Sequence, residues 1–208
     1  MSFVFANKLG EKVSESYNDP YDAFQNRNNK KQLCIVSDNL VLHILDTKMI
    51  SIKWAVACAN HVLHIFEEQY PDDKKPRQAI ETAYNWIKDP SKKNRMACKD
   101  AAYTSNTSSG ASAVAFSTVY TACIAYTSDT SDTAYAYAAD YAYIAALNAS
   151  SAAPDKSSEI KWQRKKLNQI VYEEILMLLV KSQYQRIDNK LVRKIPKELL
   201  EYIVSFIY

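Results

Sequence analysis

The chain has 208 residues, 26 Lys and Arg against 23 Asp and Glu, a net charge of +3, and 48% hydrophobic residues. That is enough to bury a real core in one domain or one domain with an appendage, and too little charge to argue for nucleic acid. Only two glycines occur, Gly10 and Gly110, which excludes glycine-rich phosphate loops and weighs against β-rich folds.

Residues 1–32 read as mixed and polar, with an apolar start (Phe3, Val4, Phe5) and one turn of helix near Tyr21–Phe24. From Asn39 the pattern turns helical. Leu40, Val41, Ile44 and Leu45 form one face of a short helix that Asp46 ends. The next segment, 49–69, is the most regular, with Ile52, Val56, Ala59, Leu63 and Phe66 at helical spacing. Tyr70-Pro71 closes it. A following helix starts at Asp73 and Pro76, turns Ile80, Ala83, Tyr84 and Ile87 inward, and stops at Asp89-Pro90. Ser91 is a fair cap for another helix through Met96, Ala97 and Ala101.

Between Asp100 and Asp155 the chain contains no Lys, Arg or His and consists almost wholly of Ala, Ser, Thr and Tyr. Tyr135, Tyr137, Tyr141 and Tyr143 alternate as in a strand, but alanine is the best helix former and proline is absent, so helix is expected. Breaks are expected near 106–110 and 127–132. Small side chains here let helices approach closely. The tyrosines either fill a helical core or form an interface. Ala153-Pro154-Asp155 starts a long amphipathic helix over 158–183 with Ile160, Leu167, Ile170, Val171, Ile175, Leu178 and Leu179 on one face. Its basic stretch, Lys161 to Lys166 around Trp162, reads as a solvated face, with phosphate or an acidic protein as the other reading. Pro196 opens a last helix with Leu199, Leu200, Ile203, Val204 and Ile207 along one side.

Chemistry is sparse. His43, His61 and His64 are the only histidines. Cys58, His61 and Glu68 lie on one side of a helix and are the weak candidates for a metal, but zinc needs four ligands and no second Cys/His pair waits elsewhere. Catalytic thiols need an electropositive, open setting, and Cys58 sits in the apolar run WAVACANHV. The acid pairs Glu67-Glu68 and Asp72-Asp73 have no partner geometry to make them an acid/base couple. Cys34, Cys58, Cys98 and Cys123 form no CxxC and read as free thiols of a reducing compartment. No run reaches the roughly 18 continuous apolar residues of a membrane span, and no leader pattern is seen, so the cytoplasm is expected. No catalytic residue and no cofactor is expected.

Residues 54–89, WAVACANHVLHIFEEQYPDDKKPRQAIETAYNWIKD, resemble the opening of the immunity-five-like domain, an α-helical family from bacterial polymorphic-toxin systems. The matching positions are Cys58, Val62, Leu63, Phe66, Glu67, Asp72, Asp73, Pro76, Arg77, Ala79, Ile80 and Trp86. The resemblance continues compositionally through the Ala-rich region and covers roughly 40–150. It implies a protein that binds and neutralises a toxin. The tail IPKELLEYIVSFIY resembles the first helix of an F-box, an ending also found in proteins of large DNA viruses. That resemblance implies recruitment of a host ubiquitin-ligase adaptor through Leu199, Leu200, Ile203 and Val204. The plain alternative is a helix folded on the core.

The sequence therefore predicts an all-α protein, an antiparallel multi-helix, bundle-like array with a helical centre rich in Ala, Ser, Thr and Tyr. Its parts are a mixed segment at 1–38, a helical domain at 39–153 and C-terminal helices at 154–208 packed on the same core. The expected activity is non-enzymatic protein binding. The partner surface is expected at Tyr120, Tyr126, Tyr135, Tyr137, Asp140, Tyr141 and Tyr143. An adaptor and a metal- or thiol-dependent enzyme are the alternatives.

Overall fold

A computed structural model describes residues 2–5, 16–25, 33–37, 40–45, 47–105 and 132–186. The elements, in order, are β1 (Ser2–Phe5), α1 (Pro20–Gln25), β2 (Leu33–Ser37), β3 (Leu40–Leu45), α2 (Thr47–Gln69), α3 (Lys75–Lys88), α4 (Lys92–Ser105), α5 (Asp132–Ala152) and α6 (Lys156–Arg186). From Thr47 to Arg186 every described element is a helix, so the body of the protein is the predicted helical array. The strand-like alternation of tyrosines in α5 is overruled by the helix preference of the alanines between them.

The N-terminal segment corrects one expectation. Leu40–Leu45 is a strand, not a helix. It pairs antiparallel with β2, and β2 pairs antiparallel with β1, giving the order β1-β2-β3. The apolar spacing of Leu40, Val41, Ile44 and Leu45 suits a helix face, but six residues are too few for periodicity to decide. Val36 faces Val41 and Ile35 faces His43 across the pair, so the register shifts between Ile35 and Val36. Such a shift is a bulge, which bends the strand locally.

Two compact units emerge, one of Met1–Leu45 with Lys165–Tyr208 and one of Asp46–Arg164. In the first, the backbone of Phe3 exchanges hydrogen bonds with that of Tyr17 at 2.7 and 2.8 Å. Asp19 Oδ1 accepts the amides of Tyr21 and Asp22 and so caps α1. Asn168 reaches the same turn: its Nδ2 donates to Asp19 Oδ2 at 2.8 Å and its Oδ1 accepts the Tyr21 amide at 3.2 Å. Phe3, Phe24, Leu167, Val171 and Tyr172 are buried around it, with Tyr172 edge-on to Phe3 at 6.1 Å.

The second unit is organised on α2. Ile52, Val56, Ala59, Leu63 and Phe66 are all buried, as are Ile50, Trp54, Ala55, Cys58 and Val62, so apolar residues cover most of its circumference. Such a helix is a core helix. Length and composition would let Lys48–Gln69 cross a membrane, but two thirds of its most apolar window (67%) is buried inside the protein. α5 packs on α2 through Ala142, Ala145, Ala146 and Ala149, all buried. α3 and α4 meet over a seam of Ala79, Ala101 and Ala102. Short side chains bring these backbones close, as the composition implies.

Two inward faces are corrected. In α3, Trp86 is buried while Tyr84 is 39% exposed. In α6, Ile160 is 38% exposed, and Glu159 and Gln163 are buried in its place. The helix limits themselves follow the expected chemistry. Asp73 Oδ1 accepts the Lys75 amide, Pro76 occupies the first turn of α3, and Asp155 Oδ1 accepts the amides of Ser157 and Ser158 ahead of α6. The hydroxyl of Ser158 also donates to Asp155, which holds that carboxyl below the usual range. The tail with Leu199, Leu200, Ile203 and Val204 lies outside the described residues, as do the expected breaks at 106–110 and 127–131.

Candidate functional site

The sequence singles out Cys58, His61 and Glu68, and the structure does not bring these three together. Among the described residues no three His, Cys, Asp or Glu side chains gather as metal ligands. His61 turns instead to Glu159, with Nδ1 2.7 Å from Oε2. The imidazole is 41% exposed and the carboxylate only 3%. The other oxygen, Oε1, accepts from Gln163 Nε2 at 2.9 Å. That nitrogen also donates to the Ala146 carbonyl at 3.0 Å, and the Gln163 carbonyl accepts the Trp54 indole N–H at 3.2 Å. One glutamine thus joins α2, α5 and α6. The His61 ring lies flat on Trp162, with centroids 3.7 Å apart and planes 5° apart.

Burying a carboxylate is costly unless hydrogen bonds replace its water. Both oxygens of Glu159 are served here, so the arrangement is a clamp between helices. A histidine held by a buried carboxylate also resembles the pair of a general acid/base catalyst. The thiol at hand argues against that use. Burial pushes the Cys58 thiol well above its ordinary pKa, and the charge of Glu159 adds to the effect. It stays protonated, and the protonated thiol is a poor nucleophile. Burial also pushes Cys98 up, to about 11, against a smaller opposing hydrogen bond with Thr82. That setting disfavours Cys58 as a nucleophile, and His64 bonds locally, its Nδ1 3.1 Å from the His61 carbonyl oxygen.

One acid of each pair has a structural partner, Asp73 at the start of α3 and Glu67 on α2. Arg77 grips Glu67 through two hydrogen bonds of 2.6 Å, Nε to Oε1 and a terminal nitrogen to Oε2. Those bonds hold the Glu67 carboxyl below its ordinary range. In the basic stretch Lys161, Arg164 and Lys165 are exposed and Lys166 is half-buried, its Nζ donating to Gln169 Oε1 at 3.1 Å.

The expected partner surface falls partly on α5. Asp140 is exposed, and Tyr141 and Tyr143 are half-buried. Leu147, which the sequence reading passed over, is 44% exposed. Asp140, Tyr143 and Leu147 follow helical spacing on the side away from the alanines that face α2. Tyr135 and Tyr137 belong to the same helix, while Tyr120 and Tyr126 lie outside the described residues.

Glu159 and Gln163 were missed, yet a signal existed. Positions 159, 163, 167 and 170 repeat at helical spacing, so Glu159 and Gln163 continue the inward line of Leu167 and Ile170. A reading that follows only apolar residues skips them.

No curated protein and no solved structure matches the chain. The profile of the Imm-5 like putative immunity protein family matches residues 44–170, which takes in all of α2 to α5 and half of α6. With more than half its length covered, the chain belongs to the Imm-5 like putative immunity protein family.

Proposed function

We propose that the protein binds a protein toxin and blocks it, with no reaction of its own. Family membership carries the reading. The surface we assign to the contact lies on α5: Asp140, Tyr143 and Leu147 of its outward side with Tyr141 beside them, and Tyr120, Tyr126, Tyr135 and Tyr137 as further candidates. Tyrosines with an apolar body and a hydroxyl suit such contacts, because they bury area at small entropic cost and still offer a hydrogen bond. A clamped, alanine-packed scaffold beneath them supports the reading, since a rigid face loses less freedom on binding.

Growth rescue tests the proposal. A protein captured on this chain from its native host is expressed in a bacterial strain, alone and together with the chain. Arrest by the captured protein alone, relieved by co-expression, is the expected outcome. Asp140→Arg combined with Tyr143→Ala should abolish rescue while leaving the far-ultraviolet circular dichroism unchanged. Rescue that persists in this folded variant would remove α5 from the contact. A captured protein that never arrests growth would remove the toxin.

A further inference from the structure

The second unit holds a pocket of about 500 Å³, lined by Lys48, Met49, Trp86, Pro90, Ser91, Lys92 and Arg95. It lies where the first turn of α2 meets the end of α3 and the start of α4. Among the described lining residues three side chains are cationic and none is acidic. Asp89 is close in sequence, but its carboxylate accepts from Asn94 Nδ2 at 3.1 Å. Arg95 lines this pocket, and its Nε atom exposes less than 1 Å² and has no hydrogen-bond partner among the described residues. Guanidinium donors closed off from water are ordinarily satisfied by an acceptor, and this one, on a half-buried side chain, is not.

The other features of the pocket specify a ligand. No ion pair involves Lys92 or Arg95 among the described residues. Helix α4 begins at Lys92, so the positive end of its dipole adds to the two cations. Ser91 Oγ accepts the Asn94 amide at a long 3.4 Å, which leaves the first amides of the helix to a guest. Two cations and a helix start balance a dianion better than a single carboxylate, and a phosphate monoester is largely dianionic near neutral pH. Arg is suited to two-point contact with phosphate oxygens. The volume falls in the ordinary range of small-molecule sites, about 300–1,000 Å³, and well exceeds one phosphate. Trp86, Met49 and Pro90 supply apolar wall for the remainder.

We propose that this pocket binds a phosphate monoester carrying an apolar or aromatic group. The proposal goes beyond toxin binding and stands independently of it.

Titration calorimetry on the whole protein at low ionic strength, with phenyl phosphate, inorganic phosphate and benzoate as probes, decides it. Phenyl phosphate should bind one to one, about tenfold more tightly than either of the others, and more weakly as salt is raised. Arg95→Gln should weaken phenyl phosphate by about tenfold or more. Lys92→Gln, at an exposed position, guards against a folding artefact and should weaken it several-fold with an unchanged melting curve. No saturable heat with phenyl phosphate at millimolar concentration would overturn the assignment. So would benzoate binding as tightly as phenyl phosphate, or affinity unchanged in both variants.

Discussion

Glu159 shows how much a single side chain can hold. Both of its oxygens are occupied, one by His61 and one by Gln163, in a place where water has little access. Removing His61 strands one oxygen, so His61→Ala should lower unfolding free energy by about 1–3 kcal/mol in urea titrations. Replacing both partners with apolar residues, His61→Leu with Glu159→Leu, should recover part of that loss, because no stranded acceptor remains. The cysteines give a second prediction at this scale. Cys58 and Cys98 are buried with raised pKa values, so neither should be alkylated by iodoacetamide in the native protein at pH 8, and both should react once it is unfolded. The sign of the pH dependence follows from Cys98. Its folded pKa is about 11 against an ordinary 9.0, so its contribution to stability is fully present below pH 9 and is lost as pH rises toward 11. Cys98→Ala should flatten the fall of Tm over that window. Of these residues the sequence exposed the inert character of Cys58, through its apolar neighbours, but hid the partner of His61, which lies 98 positions away on another helix.

At the level of elements, the packing depends on side chains that are nearly absent. Ala145 is fully buried where α5 meets α2. Ala145→Leu has nowhere to place three more carbons and should cost about 1–3 kcal/mol, read as a lower Tm. The link between α2 and α3 behaves oppositely. The Glu67–Arg77 pair has good two-point geometry, but its partners are 23% and 47% exposed. Arg77→Ala should therefore cost only about 0.2–1 kcal/mol, and less in high salt. Because Arg77 depresses the Glu67 pKa, that small gain exists above the ordinary carboxylate pKa and disappears as pH falls through the lower folded value. Helices α2, α3, α4 and α6 were legible because each combines a periodic apolar face with a proline or a cap at its limit. Strand β3 was not. Leu33–Val36 and Leu40–Leu45 flank Asp38-Asn39, a pair of turn formers, and that hairpin signal competed with an equally good helical spacing.

Across the whole molecule, α2 is the element with the most completely buried run of residues among those described. Its amides from Trp54 to Phe66 should exchange with solvent only through the largest opening of the second unit, and so should be the slowest there by mass-spectrometric hydrogen exchange. Comparable protection at the exposed end of α3 would contradict that. Composition and periodicity together foretold the helical part: few glycines, many alanines and apolar faces at helical spacing favoured close helix packing. It could not foretell that the N-terminal segment pairs as a sheet, because strand partners such as Phe3 and Ile35 are set by distant register and not by local spacing.

The alanine face of α5 also divides what selection can alter from what it must keep. A library randomised at positions 140, 143 and 147 should yield mostly folded members, and new specificities could arise there without scaffold loss. The same diversity placed at 142, 145 and 149 should return almost none, since those sites tolerate little beyond a methyl group. On the proposed reading, a lineage meeting an ever-changing adversary would find room for innovation on the outer side of this helix.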